Sequence, residues 1–345
     1  MAQAWHYIQQ RLQLPTHGEW LLAYLLLVLG SVFLAIGTEE YLLLLIPVAL
    51  VTVAVALVDF SWFYWLLLFT LPFSTEVYLP GGLGTDLPTE PLMVGLMGLF
   101  SLFVLRNLGR LSLDILRHPL TLLLLLHLGW IGVTTLTSDL FLVSVKFLLA
   151  KVWYVVTFFA LTAYLVRSPA DFRKFFWVFF SGYALMVIII FVRHALLGFH
   201  FMGIHSIMHP FQRNHVSYAA QLSLFFPYLL FVAWSYARGR FVRRFLLGFA
   251  GFIVVAVYFS YTRAAYLALL TVPAGYFVFR WRLIKPLLMV ASLAAVLGIA
   301  YSINENKYLA YAPNYDRTIS HENFDNLIEA TYKLEDISTM ERLYR

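Results

Sequence analysis

Cysteine is absent from all 345 residues, which excludes a disulfide framework, a thiol nucleophile and any Cys-based metal site. Charge is also scarce, at 12% of residues. The predicted span interiors contain no Asp or Glu. Carboxylate relays are common in proton- and sodium-coupled transporters, so this absence argues against ion-coupled transport. No Asp-x-Asp pair offers a divalent-cation site, and His200, His205, His209 and His215 keep no repeating i, i+4 spacing that would build a metal cage. Neither metal nor cofactor is expected. Met1–Gly18 lacks an apolar region ending in small residues, so it does not read as a signal peptide. Internal repeats, low-complexity segments and long linkers are missing too.

What is present is apolar. Hydrophobic residues make up 61% of the chain and the mean hydropathy is +0.79, the signature of an all-α polytopic membrane protein. Eleven candidate spans follow: 19–37, 41–58, 60–74, 91–105, 119–137, 141–165, 175–192, 216–235, 245–260, 264–280 and 286–302. They form one transmembrane domain over 1–302. The polar segment 303–345 reads as the first part of a large helical periplasmic loop. In it His321–Lys333 has amphipathic spacing and Ser338 suits an N-cap. The chain stops without a closing span, which predicts a piece of a longer protein.

Basic residues orient the spans. With the amino terminus inside, cytoplasmic segments collect 14 Lys and Arg, among them Arg238, Arg240, Arg243 and Arg244, and Arg280, Arg282 and Lys285. The net charge of +6 mostly reflects these loops and does not imply nucleic-acid binding. The outer connection 75–90 carries Glu76, Asp86 and Glu90 with no basic residue. Outer segments before the tail hold only Arg193, Arg213 and Arg263, and these exceptions want a reason.

Arg263 is the sharpest. It interrupts the apolar run Phe245–Phe279 within Tyr-Thr-Arg-Ala-Ala-Tyr-Leu (261–267). As one helix that run would extend about 52 Å, against a hydrocarbon core of about 30 Å, so it must cross twice and turn at Arg263. An arginine at mid-bilayer costs roughly 2.5–3.5 kcal/mol and less near the edge, so a fixed cation at this turn points to an anionic ligand. Arg213, in His-Pro-Phe-Gln-Arg-Asn-His-Val-Ser-Tyr-Ala (209–219), is a second guanidinium suited to the same anion, with Asn214 and His215 beside it. The competing reading makes Arg213 and the histidines a solvated interfacial belt. Lys146 and Lys151 lie within one span but point roughly 140° apart, so at most one lines an arginine pocket; Lys146 is also placed to snorkel. Glu39 and Glu40 fit a turn cap.

These motifs together resemble the O-antigen ligase and O-antigen polymerase family. The resemblance rests on Phe-x-x-Asn-His-x-x-Tyr-Ala (211–219) opening a helix, Tyr-Thr-Arg-Ala-Ala-Tyr-Leu after an outer turn, and Ser338-x-x-x-Arg342 in a polar outer segment. It covers the chain from about residue 200; before that only the number of spans matches. It implies a metal-independent glycan transferase of the bacterial inner membrane, with residues 303–345 in the periplasm. A glycan would pass from undecaprenyl diphosphate to a hydroxyl of lipid A-core, or of another glycan in a polymerase. Arg263 would match the family's Thr/Ser-Arg-small-small arginine, with Arg213 as its partner on the diphosphate, and Arg342 would match the loop arginine. The family's general-base histidine falls beyond Arg345, so the resemblance leaves this chain without its catalytic base. A non-catalytic transporter or flippase of an anionic lipid-linked glycan is the reading of a different class.

Overall fold

The computed structural model describes residues 17–78, 84–108, 117–201 and 203–304. The first 16 residues and the segment from 305 onward, with Arg342, lie outside the described residues. The elements in chain order are α1 (His17–Thr38), α2 (Leu45–Asp59), α3 (Ser61–Thr70), strands β1 (Thr75–Tyr78) and β2 (Gly84–Leu87), and α4 (Thr89–Arg106). They continue with α5 (Pro119–Leu136), α6 (Phe141–Val155), a π-helical segment Val156–Leu161, α7 (Thr162–Leu165) and α8 (Pro169–Leu196). The last are α9 (Ile204–Met208), α10 (His215–Ser235), α11 (Phe241–Tyr258), α12 (Arg263–Arg280) and α13 (Ile284–Asn304).

Eight helices among the described residues are long and apolar enough to cross a membrane, with Phe141–Leu165 counted as one. Such a chain has little alternative to helix, because every backbone amide in hydrocarbon needs a partner within its own segment. The expected count of eleven is not reached, for two reasons. Segments 41–58 and 60–74 form a pair, Tyr41–Ala56 and Ser61–Phe73, bent by 115°. At the break Asp59 Oδ1, on the last residue of α2, accepts from the Ser61 backbone N–H at 2.9 Å. Helix α2, at 15 residues, extends only about 22 Å and is too short to cross alone. The other departure is α12, where arginines at both ends and Pro273 inside leave it less apolar than the eight.

The chain divides into two compact units, Met1–Leu71 with Val77–Ser181, and Pro72–Glu76 with Gly182–Arg345. In the first, α3 and α4 pack through Tyr64, Leu67, Leu68, Met93, Leu96 and Phe100, with Leu161 of the π-helical segment completing the core. Tyr64 and Thr162 share a hydrogen bond of 2.7 Å between their hydroxyls. Without water nearby, an unpaired hydroxyl here would be costly, so the bond specifies register between α3 and α7.

In the second unit α10 packs on α11 and on α12. The buried face of α11 is Leu246, Phe249, Ala250, Ile253, Ala256 and Val257, at three- and four-residue steps. Ala219 and Ala233 of α10 and Ala250 and Ala256 of α11 are all buried; such small side chains let helix backbones approach closely in a membrane.

Replacing Tyr64 by Phe and Thr162 by Val, singly and together, is expected to give a coupling of about 0.6 kcal/mol, the usual worth of an interhelical hydrogen bond in a membrane. Unfolding in mixed detergent micelles measures it; additive single and double changes would contradict the register role.

Candidate functional site

The geometry of the site follows from short connections. Five residues (236–240) join α10 to α11, and four (259–262) join α11 to α12. Packed helices with links this short run antiparallel. Helices α10 and α12 are therefore parallel, and their amino termini share one end of the second unit. Arg213 lies two residues before α10, and Arg263 is the first residue of α12.

The connection from α8 to α10 ties that end together. The Tyr261 hydroxyl donates to the Phe199 carbonyl at 2.6 Å. Phe199 stacks on Phe259 with ring centroids 4.0 Å apart, and the ring of Phe201 meets Tyr261 edge-on at 5.3 Å. Both Tyr261 (φ 53°) and Phe199 (φ 55°) sit in the left-handed region, which side chains of this size adopt only when their surroundings hold them there. Burial, reinforced by neighbouring Tyr258, raises the Tyr261 phenol above its ordinary range and keeps it a donor. The contribution of this bond is complete below the ordinary phenol value of 10.0 and is lost only as pH climbs through the raised one. Further along, α9 brings His205 against His215, with ring centroids 4.6 Å apart and planes at 82°.

The three outer arginines meet three different fates. Arg193, in the last turn of α8, donates from Nη1 to the His209 carbonyl at 2.7 Å and holds the connection in place. Arg213 pairs through Nη2 with Glu76 Oε2 at 3.1 Å, and its side chain is 74% exposed. The expected dry pocket does not enclose it; its partner is the half-buried Glu76 carboxylate. Arg263 is half-buried at the first position of α12. A cation there faces the positive end of the helix dipole. Thr262, at the N-cap, does not cap: its hydroxyl turns back to the Ser260 carbonyl at 3.1 Å.

The secondary candidates separate as well. Asn214 is the N-cap of α10, its Oδ1 accepting from the Ser217 N–H at 2.8 Å, so its side chain serves the helix. His215 follows it, with Nδ1 buried and no hydrogen-bond partner. Lys146 belongs to the first unit, where its Nζ donates to the Gly84 carbonyl and tethers β2. Lys151 lies over the Phe147 ring at 5.0 Å, a local cation–π contact. Among the described residues no group of three or more His, Asp or Glu could hold a metal ion. Sequence reasoning missed Tyr261 and Phe199 as the latch; the signal was the aromatic density of Phe259–Tyr261 beside a predicted turn.

Comparison with protein-family models, with curated proteins and with solved structures gives no match.

Asn214→Ala is expected to lower stability by about 1 kcal/mol, and Asn214→Asp to preserve it, because either oxygen can accept from Ser217. Thermal unfolding in detergent reads the difference; equal loss in both would contradict the capping role.

Proposed function

We propose that the second unit presents an outward-facing anion site centred on Arg263, and that its ligand is the diphosphate of a lipid-linked glycan. The observation that carries this reading is the arginine opening α12 against the dipole, beside an N-cap whose side chain does not cap the helix. First-turn amides, a helix dipole and a guanidinium together suit a phosphate. Arg213 stands at the lip, close to the amino terminus of α10, and Glu76 shields its charge until a stronger anion competes.

The orientation agrees with the charge pattern. The reading takes the bent pair over 41–73 to enter and leave by the outer face and α12 to cross, which would leave the acidic connection 75–90 outside and the basic connections on either side of α11 and α12, Arg238–Arg244 and Arg280–Lys285, inside. Both arginine positions then face the periplasm, where a polyprenyl diphosphate presents its glycan. The reaction is glycosyl transfer from that donor to an acceptor hydroxyl, of lipid A-core in a ligase or of another glycan in a polymerase. The diphosphate is both handle and leaving group, so positive charge fixed at the membrane rim stabilises the transition state without a metal.

Arg263→Ala is expected to weaken undecaprenyl diphosphate binding at least tenfold, and Arg263→Lys to impair transfer strongly, since an ammonium lacks the two-point grip. Near-normal transfer by the lysine variant would contradict direct contact. Glu76→Gln is expected to tighten undecaprenyl diphosphate binding severalfold, because it releases Arg213 from its carboxylate. Binding to purified protein in nanodiscs at low and high salt measures both. Weaker binding by the glutamine variant would remove Arg213 from the site.

A further inference from the structure

The basic end of the second unit has no role in the account so far. The connection 236–240 and the first turn of α11 carry Arg238, Arg240, Arg243 and Arg244. The end of α12, the connection 281–283 and the start of α13 carry Arg280, Arg282 and Lys285. Alternating chain direction puts both groups at one end of the unit, opposite Arg213 and Arg263. No Asp or Glu occurs from Gly182 to Asn304. Glu76 is the one carboxylate among the described residues of this unit, and it pairs with Arg213 at the other end. Among the described residues none of the seven cations has a carboxylate partner. The first unit differs: there Arg167 lies over the Tyr164 ring at 4.6 Å and Lys174 over the Trp65 ring at 4.2 Å, with Asp171 between them in sequence.

Both connections turn tightly. Gly239 takes φ 87°, and the Arg240 N–H donates to the Ala237 carbonyl at 3.3 Å. Helix α12 closes with the Leu283 N–H donating to the Val278 carbonyl at 2.9 Å, and Arg282 takes φ 55° in a place that glycine ordinarily fills. Arg243 Nη1 donates to the Tyr236 carbonyl at 3.3 Å and fastens the first turn of α11 to the connection before it. The other six cations are exposed, and the exposed rings of Phe241, Phe279 and Trp281 stand beside them in the chain. Unneutralised cations next to apolar rings, at the ends of helices of membrane length, match an amphiphile lying at headgroup depth.

We propose that this end of the second unit binds an anionic phospholipid of the cytoplasmic leaflet. The arginines hold its phosphate, and its acyl chains lie along Phe241, Phe279 and Trp281. The inference is independent of the transferase reading and uses only the charge-based orientation. A bias of cations toward inner loops accounts for positive charge here, but it does not distinguish lysine from arginine. Six of the seven cations are arginine, whose planar fork takes two phosphate oxygens at once. A soluble acidic partner fits less well, because connections of five and three residues between packed helices stay at the membrane surface.

The test titrates the purified protein in neutral detergent with dioleoyl phosphatidylglycerol or dioleoyl phosphatidylcholine and reads bound lipid by native mass spectrometry. Wild-type protein is expected to bind phosphatidylglycerol about tenfold more tightly than phosphatidylcholine. Arg240→Gln with Arg282→Gln leaves five cations at this end and is expected to lower phosphatidylglycerol affinity about tenfold, with phosphatidylcholine binding unchanged. Arg240→Lys with Arg282→Lys keeps the charge and is expected to recover only part of that loss. Arg106→Gln with Arg173→Gln, in the first unit, is expected to change neither affinity. Equal affinity of the wild type for the two lipids would overturn the proposal. So would an unchanged phosphatidylglycerol affinity in the glutamine pair, or full affinity in the lysine pair, which would remove the arginine grip on the phosphate. An equal loss in the first-unit variant would overturn it in favour of net charge alone. Displacement of bound phosphatidylglycerol by millimolar inorganic phosphate would overturn it in favour of a soluble anion.

Discussion

Hydrocarbon offers no partner to a polar group, and the arrangement of this chain follows from that constraint. Backbone amides satisfy themselves within helices, and most ionised side chains lie at helix ends, with Lys151 on the Phe147 ring inside a span as an exception. Polar atoms that stay inside must find one another, as the Tyr64 and Thr162 hydroxyls do at 2.7 Å and as Gln212 and Gln221 do through both amides. Against that background the exceptions become informative. Arg263 stands at the positive end of a helix dipole, and among the described residues Trp153 Nε1, Thr157 Oγ1, His215 Nδ1 and the Tyr218 hydroxyl are buried with no hydrogen-bond partner.

The aromatic latch between Tyr261 and Phe199 explains how such a place is maintained. Two bulky residues in the left-handed region are each strained alone, and one 2.6 Å hydrogen bond with a 4.0 Å ring stack holds them both. Arg193 adds a second tether through the His209 carbonyl. The turn that precedes Arg263 and the connection that leads into His215 are therefore parts of one fixed surface. Rigid support of this kind is what positioning chemistry requires.

Much of this was legible in residue order, because apolar runs of membrane length bounded by basic clusters leave few alternatives. The turn at Arg263 followed from a 35-residue apolar run too long to cross once, and α11 and α12 lie on either side of it. The bent pair was not legible: composition alone does not separate two short crossings from one broken helix. Nor was the partner of Arg213, since Glu76 is 137 residues earlier in the chain. Asn214 was recognised as part of a motif but its capping duty depends on the local backbone. His215 and Tyr218 stood in the same motif, yet nothing in their spacing reveals that both polar atoms would be buried and unanswered.

The most direct measurement of the central claim is a cryo-EM structure with undecaprenyl diphosphate bound. The account predicts phosphate oxygens about 3 Å from the Arg263 guanidinium, against the first turn of α12. Diphosphate density elsewhere, for example among the arginines between α10 and α11, with Arg263 facing away from it, would contradict the account.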